Sequence, residues 1–275
     1  MLWRVLDTGV NEAAVNMAVD EAIMLAHGAG MVPPTLRFYS WRPAALSLGY
    51  FQKAQAEVDL KACARQGVDV VRRLTGGRAV LHDAELTYSL IVREDDPLVP
   101  PTITASYRYF SGGIVTGLAA LGIEAAMSMP KSAYGKTGKQ AHSSAACFDA
   151  PSHYEILYEG RKLVGSAQVR KNGVILQHGS LLFRFQPGKL TQLLNIPSET
   201  ARQRLTAALT GCVASLESVR KREVDGACVR DALAAGFSTA LGITLQQGAL
   251  TETEQQTSEK LAAEKYRRSE WTLRR

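Results

Sequence analysis

The sequence contains no CxxC pair and no cysteine spacing that would frame a disulfide scaffold; its four cysteines are Cys63, Cys147, Cys212 and Cys228. Nothing in it resembles a secretory leader, so a reducing, cytoplasmic setting with free thiols is expected. No apolar run is long enough to cross a bilayer, so no membrane role is expected. Metal-ligand spacing is also missing. Cys147, His142 and His153 do not form a structural zinc pattern, and no metal is expected. Gly135-Lys136-Thr137 ends like a phosphate-binding loop, but Pro130 stands where the first glycine belongs and no strand leads in, so that reading fails. The net charge of +6 over 275 residues is spread out, apart from Arg161–Lys171 and a run around Lys265–Arg275. With no nucleic-acid motif beside it, polynucleotide binding is not expected.

What is present reads as a single large domain with a sizeable core. Met1–Asp7 has the pattern of a short strand. Asn11 is a candidate N-cap for a helix whose apolar stripe runs from Val15 to Ala26 and stops at Gly28. Glu12, Asp20 and Glu21 lie off that stripe, which reads as a solvated face. Thr35–Trp41 alternates as a strand, and Ala45–Tyr50 reads as another. A helix over Glu57–Gln66 carries Cys63 on its apolar side, as core. Strand Val68–Leu74 leads through Arg72-Arg73 into Thr75-Gly76-Gly77-Arg78, followed by His82 and strand Leu86–Val92. A glycine pair between strands lets backbone N–H groups come close to a ligand, and the arginines would suit a phosphate or carboxylate. By spacing alone His82 reads as a satisfied histidine, with acid–base work as the alternative. A helix over Thr104–Leu121 turns Tyr107, Phe110, Ile114, Val115 and Leu118 inward, and its Gly112-Gly113 pair either weakens it or lets a neighbour pack closely. Ser128–Ala146 is long, polar and without periodicity, the pattern of a functional loop or a disordered one.

The stretch from Ser143 to Ser180 carries the chemistry. Strands over His153–Tyr158 and Leu163–Val169 are joined by Glu159-Gly160. Asn172-Gly173, the strongest short hairpin signal in the chain, starts a further strand over Val174–Phe185. Cys147 precedes these hairpins and Lys162 opens the second strand. A free thiol has a pKa of about 8.5, so little is thiolate at neutral pH. A nearby ammonium lowers that pKa, and the thiolate can then take an acyl group from a thioester and hold it for a second acceptor. Gly165 and Ala167 leave room for a ligand chain. Taken alone, Cys147 reads equally as an inert buried thiol. The remaining segments, Pro187–Leu194, Ser198–Val219, Asp225–Leu241 and Glu252–Arg268, read as helices, with a short strand near Ile243–Gln246. Cys212 and Cys228 read as structural, and the basic residues Arg267, Arg268, Arg274 and Arg275 as solvated.

Three motifs together resemble a known superfamily. Arg72-Arg73-Leu74-Thr75-Gly76-Gly77-Arg78 running to His82-Asp83, Gly160-Arg161-Lys162 running to Gly165-Ser166-Ala167-Gln168, and Gln177-His178-Gly179-Ser180 resemble the lipoate–protein ligase and biotin-ligase superfamily. Cys147-Phe148-Asp149-Ala150-Pro151-Ser152 resembles its LipM-type branch, the octanoyl-[acyl-carrier-protein]:protein N-octanoyltransferases. The resemblance implies an α+β fold with mixed, mostly antiparallel sheets flanked by helices and a helical C-terminal layer. It implies a catalytic domain over 1–250, with 251–275 a C-terminal helix and basic tail. It implies octanoyl transfer from octanoyl-acyl carrier protein to a lysine of a lipoyl-accepting protein such as glycine cleavage H protein, without a cofactor; a monomer is expected only by default.

Carried over by position, the resemblance makes Cys147 the acyl-thioester nucleophile and Lys162 the residue that lowers its pKa. Arg73, Gly76, Gly77, Arg78, His82, Gly165, Ala167 and His178 become the walls of the acyl and donor site. Arg78 stands where ATP-dependent ligases have a third glycine, which weighs against an ATP-dependent lipoate or octanoate ligase. An amidotransferase acting between lipoyl domains is a further alternative, as are a hydrolase pairing Cys147 with His153 or His178 and a non-enzymatic binding module.

Overall fold

A computed structural model describes residues 1–128 and 155–275. Cys147, His142, His153 and the loop expected over Ser128–Ala146, apart from Ser128 itself, lie outside the described residues.

The described residues build eleven strands: β1 (Leu2–Asn11), β2 (Thr35–Trp41), β3 (Ala45–Leu48), β4 (Asp69–Arg72), β5 (Val80–His82), β6 (Glu85–Arg93), β7 (Ala126–Met127), β8 (Ile156–Tyr158), β9 (Arg161–Lys171), β10 (Val174–Leu182) and β11 (Thr244–Gln247). Eight form one sheet in the order β11-β1-β2-β6-β10-β9-β8-β7, and β4-β3-β5 form a smaller one. In the large sheet β1 pairs in parallel with β11 and β2, and the remaining pairs are antiparallel. The mixed, mostly antiparallel α+β architecture expected from the resemblance is the one observed.

Helices cover both faces of the large sheet, so its central strands are buried on both sides. One face holds Leu36, Phe38, Tyr88, Leu90 and Ile175 against Phe110, Ile114 and Leu118 of helix Ile103–Ala120 and Phe237 of helix Gly226–Leu241. The other packs Leu6, Ile91 and Leu176 against Val19, Ile23 and Met24 of helix Ala13–Gly28. The two covering helices on the first face cross closely. A Cβ at Gly113 would meet Phe237 Cα at 2.9 Å, one at Gly117 would meet the carbonyl oxygen of Ala232 at 2.8 Å, and one at Gly236 would strike the Gly117 backbone. Close packing is thus what Gly113 of the glycine pair serves.

Two helix expectations are corrected. Asn11 does not cap the first helix: it ends β1, its side chain donates to the Thr8 carbonyl, and Glu12 takes the cap position. The helix expected over Ser198–Val219 is two, Glu199–Cys212 and Leu216–Arg220. Between them Val213 leaves helical geometry to form a parallel bridge with Lys162, and Ala214 N–H donates to the Lys162 carbonyl at 2.8 Å. Ser215 then restarts the helix through a reciprocal cap with Ser218.

Of the basic tail, Arg267, Arg268 and Arg275 are exposed as expected, while Arg274 and the residues just before the tail dock onto the fold. Lys265 and Tyr266 both reach the Glu21 carboxylate, at 2.6 and 2.7 Å. Arg267 pairs with Glu12, and the Arg274 guanidinium stacks 3.8 Å from the Tyr50 ring and 4.1 Å from that of Trp271. Cys63 is core, as expected: burial, with Asp59 nearby, pushes its thiol up to about 11. Cys228, expected to be structural, is exposed on its helix. Among the described residues no helix is long and apolar enough to cross a membrane.

Candidate active site

Strand register explains why a cavity opens where it does. Residues directly opposite one another on neighbouring strands point to the same side of a sheet. Across β2, β6, β10 and β9 this produces one row of Tyr39, Thr87, Ser180 and Gly165, and the next of Arg37, Ser89, His178 and Ala167. Each row runs from a large side chain to a very small one. The space left above Gly165 and Ala167 is part of a cavity of about 400 Å³. The opposite wall comes from Ser47 of β3, from Arg73, Gly76, Gly77 and Arg78 in the loop after β4, and from Val80 and His82 of β5. Gly77 has φ +91°, and Gly49 lies so close behind it that a Cβ there would overlap the Gly77 carbonyl. The loop therefore needs glycine on both sides of this contact.

The polar groups around the cavity bond one another. Asp20, 2% exposed, accepts from Arg37 Nη1 at 2.6 Å, Tyr39 OH at 2.9 Å and Ser89 Oγ at 2.7 Å. Burial alone would raise its pKa, but Arg37, His178 and Ser89 together hold it below the ordinary value. His178 places Nε2 2.6 Å from Thr75 Oγ1 and Nδ1 3.6 Å from Asp20. Burial outweighs the attraction of Asp20 and lowers the His178 pKa, so the imidazole is neutral at neutral pH. His82 stacks on Trp41 at 4.1 Å, with Nε2 2.7 Å from Ser47 Oγ and Nδ1 2.7 Å from Glu85. Glu85 also accepts from Thr87 and Ser180. Because hydrogen bonds within the wall already engage these groups, the cavity offers mainly apolar surface to a guest although polar residues line it.

Lys162 stands further along β9, towards β8. Its Nζ forms an ion pair with Glu155, and the two side chains are only 4% and 7% exposed. A β-bulge between Ile156 and Leu157 shifts the β8–β9 register beside this pair. The Glu155 carbonyl accepts from Ser128 N–H at 2.8 Å.

Residues 12–238 match the lipoyl protein ligase A/B catalytic domain. The chain is 50% identical to Octanoyltransferase LipM of Kyrpidia tusciae, covering 99% of both chains. It is 42% identical to Octanoyltransferase LipM of Bacillus subtilis, over 99% of this chain and 98% of that one. The chain belongs to the LipM octanoyltransferase branch of the lipoyl protein ligase A/B family. Solved structures agree on the fold. A bi-partite lipoate protein ligase studied with its E2 lipoyl domain from Thermoplasma acidophilum superposes with a TM-score of 0.82 at 28% identity, over 99% of this chain and 96% of that one. A lipoate-protein ligase A bound with ATP superposes with a TM-score of 0.77 at 29% identity, over 99% of each chain.

Of the residues the sequence singled out, Arg73, Gly76, Gly77, Arg78, His82, Gly165, Ala167 and His178 all line this one cavity. Lys162 is not among the lining residues, and Cys147 lies outside the described ones. Two readings change. Arg72 and Arg73 do not present guanidinium groups for an anion. Arg72 donates to the carbonyls of Gly49, Gln52 and Thr272, and Arg73 to those of Ser47, Gly76 and Arg78. They staple the loop in place. Asp20 and Glu21 are buried, not a solvated face. The signal that could have found Asp20 is Arg37 itself, because an arginine inside the otherwise buried strand Thr35–Trp41 requires a carboxylate opposite it.

Gly179, beside His178, tests how tightly the floor is built. A Cβ there would lie 2.6 Å from Tyr88 Cε1 and 2.9 Å from the Gly165 carbonyl, and closer still to Ser166 Oγ. Gly179→Ala is expected to destabilise the fold by about 1–3 kcal/mol. A thermal melt should fall by roughly 2–4 °C per kcal/mol lost. An unchanged midpoint would show that the floor relaxes freely.

Proposed function

We propose that this chain transfers an octanoyl group from octanoyl-acyl carrier protein to a lysine of a lipoyl-accepting protein, with Cys147 carrying the acyl group as a thioester and Lys162 as its cationic partner. Membership of the LipM branch makes the chain an acyltransferase of lipoate biosynthesis. The donor, the acceptor and the residues that do the work are the proposal. Glycine cleavage H protein is the acceptor we favour, and lipoyl domains are the wider class.

The observation that supports this reading best is the cavity. It has the volume of a small-ligand pocket, and its polar wall groups are already engaged with one another. A fatty chain gains about 0.8 kcal/mol for each CH₂ it buries there. The buried Lys162 cation lies on the same strand as Gly165 and Ala167 of the cavity floor. The ammonium would favour thiolate over thiol at Cys147. The thiolate attacks the donor's thioester carbonyl, the carrier's sulfur leaves, and the acceptor's neutral amine then takes the acyl group from Cys147. His178 is poorly placed to act as a thiol base, since its ring nitrogens engage Thr75 and face Asp20.

A donor panel with intact-mass readout tests the reading. Octanoyl-acyl carrier protein should leave one octanoyl group on the wild-type chain and transfer it to apo H protein, whereas Cys147→Ser should show no comparable adduct or rate. Transfer from free octanoate that depends on ATP and persists in Cys147→Ser would replace this mechanism with that of a ligase.

A further inference from the structure

We propose that Glu155 is a positioning residue that keeps Lys162 charged and fixed while the sulfur carries its acyl group, so that the cation is in place when that sulfur has to leave. This rests on the thioester reading above. An ammonium buried as deeply as that of Lys162 gives up its proton readily unless a negative charge balances it. Before acylation the thiolate itself can supply that balance. Once the sulfur is acylated it is neutral, and the balance must come from elsewhere.

The structure supplies it in the buried pair between Lys162 and Glu155. The strands flanking β9 carry only a phenol and an imidazole as ionisable groups, Tyr158 on β8 and His178 on β10. Both partners are held from behind. The Lys162 backbone is pinned by Val213 and Ala214, and the Glu155 backbone by Ser128.

The second half-reaction is the step this arrangement serves. The acceptor's amine nitrogen forms a bond to the acyl carbon, and the carbon–sulfur bond breaks with its electron pair left on sulfur. The surplus proton on nitrogen passes to water. The new thiolate appears beside a lysine that has remained an ammonium. Glu155 is needed less in the first half-reaction, because the thiolate already present there balances the ammonium.

The test separates the two half-reactions. Wild-type, Glu155→Gln and Glu155→Asp chains are loaded with octanoyl-acyl carrier protein, freed of donor, and mixed with a lipoyl-accepting domain carrying an unmodified lysine. Loss of the octanoyl adduct is followed by quenched intact mass. Glu155→Gln should still load but discharge at least about tenfold more slowly, equivalent to about 1.4 kcal/mol less stabilisation of the departing thiolate. It should therefore accumulate acyl-enzyme in the steady state. Glu155→Asp, which restores the charge, should recover part of the discharge rate, a rescue that a purely structural role does not predict. Equal discharge by Glu155→Gln and wild type would overturn the proposal, as would a folded Glu155→Gln that never loads. If Glu155→Gln fails to fold, Glu155→Asp decides: discharge slowed more than loading supports the proposal, and equal slowing overturns it. Absence of any adduct on the wild-type chain would instead sink the thioester reading on which the proposal stands.

Discussion

Lys162→Met is expected to lower octanoyl transfer by roughly 10²–10⁴-fold, the range for losing a side chain that sets protonation in the transition state. Stability will fall as well. Removing the ammonium leaves the Glu155 carboxylate buried beside an apolar side chain, and breaking a buried pair from one side costs about 3–5 kcal/mol. The double variant Lys162→Met/Glu155→Gln removes both charges and should recover much of that loss, because a buried pair replaced as a whole is often neutral for stability. It should remain as inactive as the single variant. Melting curves paired with transfer rates check this. A double variant that regains activity along with stability would show that Lys162 matters only for folding.

A stability loss of the same size is expected at Asp20. Asp20→Ala removes the acceptor of three side chains at once and leaves the fully buried Arg37 without its carboxylate. A loss of about 3–5 kcal/mol follows, on the order of 10 °C in melting midpoint. Asn16 and Thr8 still bind the Arg37 guanidinium, so the floor should loosen before it collapses.

The same network sets a pH dependence. The Asp20 pKa is lowered on folding, so its contribution is complete above the unfolded carboxylate value near 3.8 and disappears as pH falls through the folded value. The His178 pKa is lowered too. Protonation therefore favours the unfolded chain, and stability is lost as pH drops below about 6.5 towards the folded value. The wild-type midpoint should fall between pH 7 and pH 5, and His178→Asn should flatten that interval. Identical slopes in the two proteins would remove His178 as the cause.

Features written in adjacent residues were legible in the sequence. Glu159-Gly160 and Asn172-Gly173 form the two hairpin turns, with φ of +48° and +75° in the first and +53° and +73° in the second. Asn172 and the two glycines tolerate the left-handed region, and Glu159 adopts it beside Gly160, so local turn chemistry specifies these bends. Strand β2 over Thr35–Trp41 and the first helix ending at Gly28 follow from period and punctuation in the same way. The motif residues of the site were legible too: the glycine–arginine loop, Gly165, Ala167 and His178 stand around one cavity although far apart in the chain.

The failures share a cause. Asp20 and Glu21 sit off the apolar stripe of their helix, which reads as solvent-facing until Arg37 from a strand and Lys265 from the tail arrive to pair with them. The break at Val213 carries no local signal, because it exists to pair with Lys162. Arg72 and Arg73 look free for an anion until the carbonyls they hold are brought alongside.

By itself, the amino-acid order determined most of the strands, the hairpin turns, the family and the motif residues around the pocket, because period, turn chemistry and motif identity are properties of neighbouring residues. Only the tertiary structure decided which charges are neutralised, which arginines are already occupied and which carboxylate faces Lys162. A charge acquires its energetic meaning from what lies within a few ångströms of it, and here those partners come from distant parts of the chain.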